Sequence, residues 1–175
     1  MSHHADPASF RAAASRFSTG VTVVTSSDAD GAPVGMTANS FTTVSMQPPT
    51  VLVSLKRGRT WQAVNATRRY AVNVLAADDV AIGRYFAGAT LPQGAPAFDE
   101  RDGFFLLPQA IAQFGCEVVS TVDIADHTLF IGEVRWCHHQ DGLPLAFYAS
   151  RFRNGLGAEI MPGDATAYPA EGWTI

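Results

Sequence analysis

Short runs of apolar residues alternating with polar ones, broken by Gly, Pro, Asp and Asn, recur between residues 21 and 149, the pattern of half-buried strands joined by turns. Residues 21–25 read as a strand. Ser27, Asp28, Ala29, Asp30 and Gly31 tolerate left-handed backbone and predict a hairpin returning through residues 33–38. Further strands are expected at 51–55, 70–75, 104–107, 114–123, 128–137 and 145–149. Helical spacing is rarer. Asp6-Pro7 opens one helix with Phe10, Ala13, Ala14 and Phe17 on a single face, ending near Thr19-Gly20. Thr60 heads a second, and Asp78-Asp79 open a third that places acidic residues in its first turn. Residues 88–103, with Pro92, Gly94 and Pro96, read as a loop suited to a flexible lid or a partner-facing segment. Six or more strands, few helices and no regular βαβ alternation predict a mainly β fold, a barrel decorated with short helices.

The stretch from 35 to 55 organises the rest. Its ends read as strands, but Thr37, Ala38, Asn39, Ser40, Thr42, Thr43 and Ser45 are small or hydroxyl-bearing and read as a connection unlike a hairpin, closed by the non-helical turn that Pro48-Pro49 forces. Such a segment leaves backbone groups open to a flat polar ligand. Taken alone, it fits better a connection whose hydroxyls bond their own backbone, and the rest of the chain turns the reading toward a ligand. Directly after it come Lys56, the only lysine, then Arg57 and Arg59, beside the N–H groups that Thr60 would begin to cap. This cluster suits an anion such as phosphate, or simply a solvated basic turn.

Composition narrows the classes. At 175 residues and 47% hydrophobic content, residues 1–175 are expected to form a single domain around one core. A formal net charge of -4 gives no general attraction to nucleic acid or anionic lipid. No apolar run approaches the ~20 residues of a membrane span, and the first ten residues lack the apolar centre of a signal peptide, so a soluble cytoplasmic protein is expected. In that setting the triplet Asn65-Ala66-Thr67 is a fortuitous glycosylation match. Cys116 and Cys137 lie within strand-like runs without CxxC spacing and read as small buried side chains. His138 and His139 would point to opposite faces, and no metal is expected. Neither GxGxxG in a βαβ setting nor GxxxxGK is present, so any nucleotide would bind without a Rossmann fold or a P-loop. An arginine-heavy, alanine-rich composition points to a high-GC bacterial source.

The blocks FSTGVTVVTS, GAPVGMTANSFTTVSMQPPTVLVSL, YAVNVL, RYFAG, DHTLFIGEV and LAFYAS, in this order across residues 10–152, resemble the short-chain flavin reductase family. The resemblance implies a split β-barrel of the Greek-key, FMN-binding type that forms a homodimer. Residues 10–152 would be its core and 153–175 a C-terminal tail crossing the surface or a partner subunit. It implies hydride transfer from NADH or NADPH to FAD or FMN, with FAD slightly preferred, and release of the reduced flavin to a flavin-dependent monooxygenase.

Roles carry over where the blocks match. Met36, Thr37, Ala38, Asn39 and Ser40 fall where relatives line the isoalloxazine ring, largely with main-chain groups, and Ser54, Leu55, Lys56 and Thr60 where they hold the ribityl and phosphate groups. Phe86 falls where an aromatic packs near the flavin, His127 where a catalytic histidine approaches the nicotinamide, and Tyr148 in the block closing that cleft. Two positions depart from the pattern. Ala125 stands where the family has glycine before Asp-His, and RGRT carries one hydroxyl, leaving its arginines to compensate. Two other readings fit the same barrel: a flavin-binding carrier or sensor, and a flavoenzyme that reduces a different acceptor.

Overall fold

A computed structural model of the chain describes residues 4–92 and 94–156. In chain order its elements are α1 (Pro7–Ala14), β1 (Thr19–Gly20), β2 (Thr22–Ser27), β3 (Pro33–Ala38), β4 (Thr42–Met46), β5 (Pro49–Lys56), α2 (Arg59–Thr67), β6 (Arg69–Val74), α3 (Val80–Phe86), β7 (Asp99–Arg101), β8 (Phe104–Leu106), β9 (Ala112–Ile124), β10 (His127–His139), β11 (Leu145–Tyr148) and β12 (Arg151–Asn154). Seven strands form one antiparallel sheet in the order β3-β2-β6-β9-β10-β5-β4. Its two edge strands, β3 and β4, do not pair with each other, so the barrel is split along that seam.

Strand alternation builds the interior. Val51, Val53 and Leu55 of β5, Phe130 of β10, Tyr70 and Val72 of β6 and Val24 of β2 form one buried cluster, which Ala38 of β3 joins from across the seam. Each such aliphatic or aromatic side chain removed from water is worth roughly 1.5–3 kcal/mol. A second cluster, centred on Val21, Val23, Leu75, Leu107 and Leu145, lies where Val80, Ile82 and Phe86 of α3 and Phe147 and Phe152 pack, the last two from the small sheet β1-β11-β12. Asn73, a buried polar residue beside the second cluster, has its groups engaged: its Nδ2 donates to the Val23 carbonyl at 3.2 Å and its Oδ1 accepts from Leu107 N–H at 2.9 Å.

Several expectations change. Residues 42–46 are a strand, pairing antiparallel with β5 from Thr42 opposite Leu52 to Met46 opposite Pro49, so the hydroxyl-rich stretch is half hairpin. α1 ends at Ala14 rather than near Gly20, and Thr19 and Gly20 pair instead with β11. The 88–103 segment contains β7, which pairs with β8, and β12 extends the small sheet past residue 149. Asp79 is the N-cap of α3, but its carboxylate accepts from Ala76 N–H at 3.2 Å rather than from the helix, and no acidic residue falls within the first turn. Both cysteines are free, but only Cys116 is buried; Cys137 is exposed, on the outer end of β10. Of the tail assigned to residues 153–175, positions 157–175 lie outside the described residues.

The Tyr70 ring fills the barrel against Gly132, where any Cβ would collide with the phenol hydroxyl. Gly132→Ala is expected to lower stability by about 1–3 kcal/mol through overpacking, read as a shift of the urea midpoint at unchanged m-value.

Candidate functional site

Register decides which expected residues meet. On β10 and β5, His127 lies opposite Lys56, Leu129 opposite Ser54 and Ile131 opposite Leu52. Because Thr128, Phe130, Val53 and Leu55 are buried, these intervening residues face outward together. The segment after β3 then reaches them. Ser54 lies beyond the start of β4, so its peptide groups on that side have no strand partner. The Ser40 hydroxyl supplies one, accepting from Ser54 N–H at 3.0 Å and donating to Ser54 C=O at 2.9 Å. Ser40, Ser54, Lys56 and His127 are thereby collected on one face.

The tight turn between β9 and β10 completes this cluster. Ala125 adopts φ 53°, the left-handed conformation that glycine supplies more readily and an alanine holds only under strain. Asp126 follows. Its Oδ1 is 2.8 Å from His127 Nδ1 and its Oδ2 3.4 Å from Lys56 Nζ, while its carbonyl accepts from Arg57 N–H at 3.1 Å. The hydrogen bond with His127, then the charges of His127 and Lys56, hold the Asp126 carboxyl below the usual carboxylate range. Sequence reasoning had not singled out Asp126. Its signal there was adjacency to His127; its nearness to Lys56 needs the strand register.

The second group lines a cleft. Thr37, Ala38 and Asn39 bound a cavity of about 210 Å³ with Ala87, Phe147 and Phe152. Asn39, exposed, also borders a cavity of about 370 Å³ beside Phe17 and Phe41 and one of about 430 Å³ under α1 beside Phe10 and Phe147. Three hollows with aromatic walls therefore meet at one amide side chain. Thr37 is committed, its hydroxyl donating to the Gly83 carbonyl at 2.6 Å and tying β3 to α3. Met36 and Ala38 turn their side chains to the barrel core, leaving the main chain to face a ligand.

Other expected residues sit differently. Leu55 is fully buried and can offer only its backbone. Thr60 does not cap α2: it is buried within the first turn, the N-cap is Gly58, and no side chain satisfies the helix start. Uncapped N–H groups beside the exposed Lys56 ammonium still favour an anion. The two arginines expected to compensate there each have another partner in the structure. Arg59 is drawn to Asp28 at 2.7 Å, and Arg57 lies over the Trp61 ring at 5.9 Å. Phe86 packs behind β3 against Gly35 and Phe98, and its neighbour Ala87 lines the cleft. Tyr148 ends β11; alternation puts it on the face opposite Phe147, which does line the cleft.

The arrangement is an outward polar cluster with one lysine, one histidine and an uncapped helix start, continuous through Ser40 and Asn39 with aromatic-walled hollows. It suits an elongated ligand with an anionic portion and a flat ring. The chain is 39% identical over 151 residues to the NADH-dependent flavin reductase StyB of Pseudomonas fluorescens, covering 84% of this chain and 89% of the relative. Its fold is similar to that of the styrene monooxygenase flavin reductase SMOB from Pseudomonas putida S12, with TM-score 0.81 and 39% identity over 86% of this chain and 99% of that one. It is also similar to the Streptomyces globisporus C-1027 NADH:FAD oxidoreductase SgcE6 in complex with NAD and FAD fragments, with TM-score 0.75 and 33% identity over 87% of this chain and 96% of that one. The family model described as flavin reductase like domain matches residues 14–156, and with these relatives it establishes that the chain belongs to the flavin reductase family.

Proposed function

We propose that this protein is an NADH-dependent flavin reductase that uses FAD or FMN as a substrate and releases it reduced to a flavin-dependent monooxygenase. The observation that carries the reading is the register placing His127 opposite Lys56, beside the Ser40–Ser54 clamp. A carrier of flavin needs a phosphate-side cation and a ring cleft; it has no use for a histidine presented on the same face. The names of the relatives supply the chemistry: NADH dependence for StyB, a styrene monooxygenase for SMOB, NAD and FAD fragments for SgcE6.

Hydride transfer from reduced nicotinamide to a flavin ring asks little acid or base of a protein; it asks for two rings in contact and water kept out. The main chain of residues 36–40 and the cleft formed with Phe147 and Phe152 hold and desolvate the flat ring. Lys56 and the uncapped start of α2 take the phosphate charge, and Ser54 the polar chain between. His127 orients the nicotinamide, and Phe147, the neighbour of Tyr148 on β11, walls the cleft.

The chain acts, in this reading, as a homodimer. Val122 and Ile124 are 44% and 55% exposed and share the outward face of Leu129, Ile131, Lys56 and His127, while Val44 and Met46 are exposed on β4. Covering this apolar stripe with a second copy would shield it and wall the site.

NADH oxidation by the purified protein is expected to require added FAD or FMN, to saturate with it, and to accumulate free reduced flavin without oxygen. Flavin that stays bound through gel filtration, with no turnover of added flavin, would instead identify a carrier or a flavoenzyme with another acceptor. Lys56→Ala is expected to raise the flavin KM about tenfold with kcat little changed, the loss of one charge-assisted contact. Light scattering is expected to return twice the 18.7 kDa chain mass, and the double variant Val122→Lys, Ile124→Lys the monomer mass; a monomeric parent protein would remove the dimer.

A further inference from the structure

We propose that Asp126 is a positioning residue that fixes His127 with Nδ1 protonated, so that Nε2 is presented as a hydrogen-bond acceptor toward the carboxamide N–H₂ of the nicotinamide. This rests on the reading of His127 as the nicotinamide-side residue. Neutral imidazole carries one N–H and one lone pair, and an anionic acceptor at one nitrogen selects the tautomer that donates to it. Here Asp126 Oδ1 stands 2.8 Å from Nδ1, which leaves Nε2 free to accept. The other oxygen faces Lys56 Nζ at 3.4 Å. One carboxylate thus joins functional groups from two strands.

The backbone holds that carboxylate in place from both sides. Ile124 and His127 pair across the hairpin, the left-handed Ala125 sets the turn, and Arg57 N–H binds the Asp126 carbonyl. The side chains of Lys56, Asp126 and His127 are 66%, 61% and 44% exposed, so solvent screens their pairing and little folding stability comes from it. The consequence is one of geometry. Without Asp126, the imidazole is free to rotate and to adopt the Nε2–H tautomer, which turns a donor toward the carboxamide N–H₂ and cannot accept from it.

The test uses ¹⁵N-histidine protein at alkaline pH, with His127 assigned by its loss in His127→Gln. Two-bond ¹H–¹⁵N spectra are expected to show Nδ1–H in the parent protein and a shift toward Nε2–H in Asp126→Ala. Asp126→Asn, whose amide N–H₂ can turn to donate to Nδ1, should shift toward Nε2–H as well, whereas Asp126→Glu keeps a carboxylate that only accepts and should hold the parent tautomer. Steady-state kinetics should follow: KM for NADH raised about tenfold in Asp126→Ala and Asp126→Asn with kcat changed less, and restored to within about threefold in Asp126→Glu. Unchanged circular dichroism and melting temperature establish that all three variants fold. An Asp126→Ala protein that retains Nδ1–H and the parent KM overturns the proposal. A His127→Ala protein with parent kinetics overturns the nicotinamide reading instead, and with it the catalytic use of Asp126, even where the tautomer shift is seen.

Discussion

The split barrel is bridged at its seam by one side chain standing in for a strand. β3 and β4 have no ladder between them, and the chain passes from one to the other through residues 39–41. Where β4 has not yet begun, the Ser40 hydroxyl both accepts from and donates to the Ser54 peptide, satisfying two backbone groups that would otherwise face solvent or a ligand. Phe41, next in the chain, then turns inward against Phe114 with ring centroids 5.2 Å apart. An alanine or cysteine in place of Ser40 would change this bridge more than its size suggests, since one oxygen carries both bonds.

That bridge also explains why the polar and apolar parts of the site are contiguous. Ser40 faces the cluster of Ser54, Lys56, Asp126 and His127, and Asn39 faces the hollows lined by Phe17, Phe41 and Phe147. The chain as a whole is acidic, yet its single lysine stands beside an uncapped helix start. Exposed charges paired at 3.4 Å contribute little to folding, and for that reason remain available to a ligand without loss to the scaffold. The scaffold depends instead on buried residues such as Val53, Leu55 and Phe130, which occupy the intervening positions of the same two strands. Period two separates stability from recognition residue by residue.

Alternation made β5, β6 and β10 legible in the sequence, because each carries β-branched or aromatic residues on its buried face. β4 was not legible. Thr42, Thr43 and Val44 are exposed, and a polar edge strand gives no alternation to read. β12 was hidden for a related reason: the turn before it uses Ala149 and Ser150 at φ 50° and 60°, residues that do not announce left-handed backbone. At α2, Gly58 has no side chain with which to signal a cap, and the neighbouring threonine was a natural but wrong choice. Individual roles within the site came from family resemblance. The residues alone supported a polar loop and a basic turn, and neither the approach of Asp126 to Lys56 nor the three hollows at Asn39 can be found without the folded chain.

The contrast between the two cysteines makes the molecule its own measuring device. Burial pushes the Cys116 thiol up to about 12, so at neutral pH it stays protonated and unreactive. Cys137 is exposed at the far end of the strand that begins with His127. Ten residues of β strand span roughly 30 Å. A dye attached to that thiol would sit well away from the site, yet within energy-transfer range of any isoalloxazine there, and its emission would follow arrival and departure of the ring in real time.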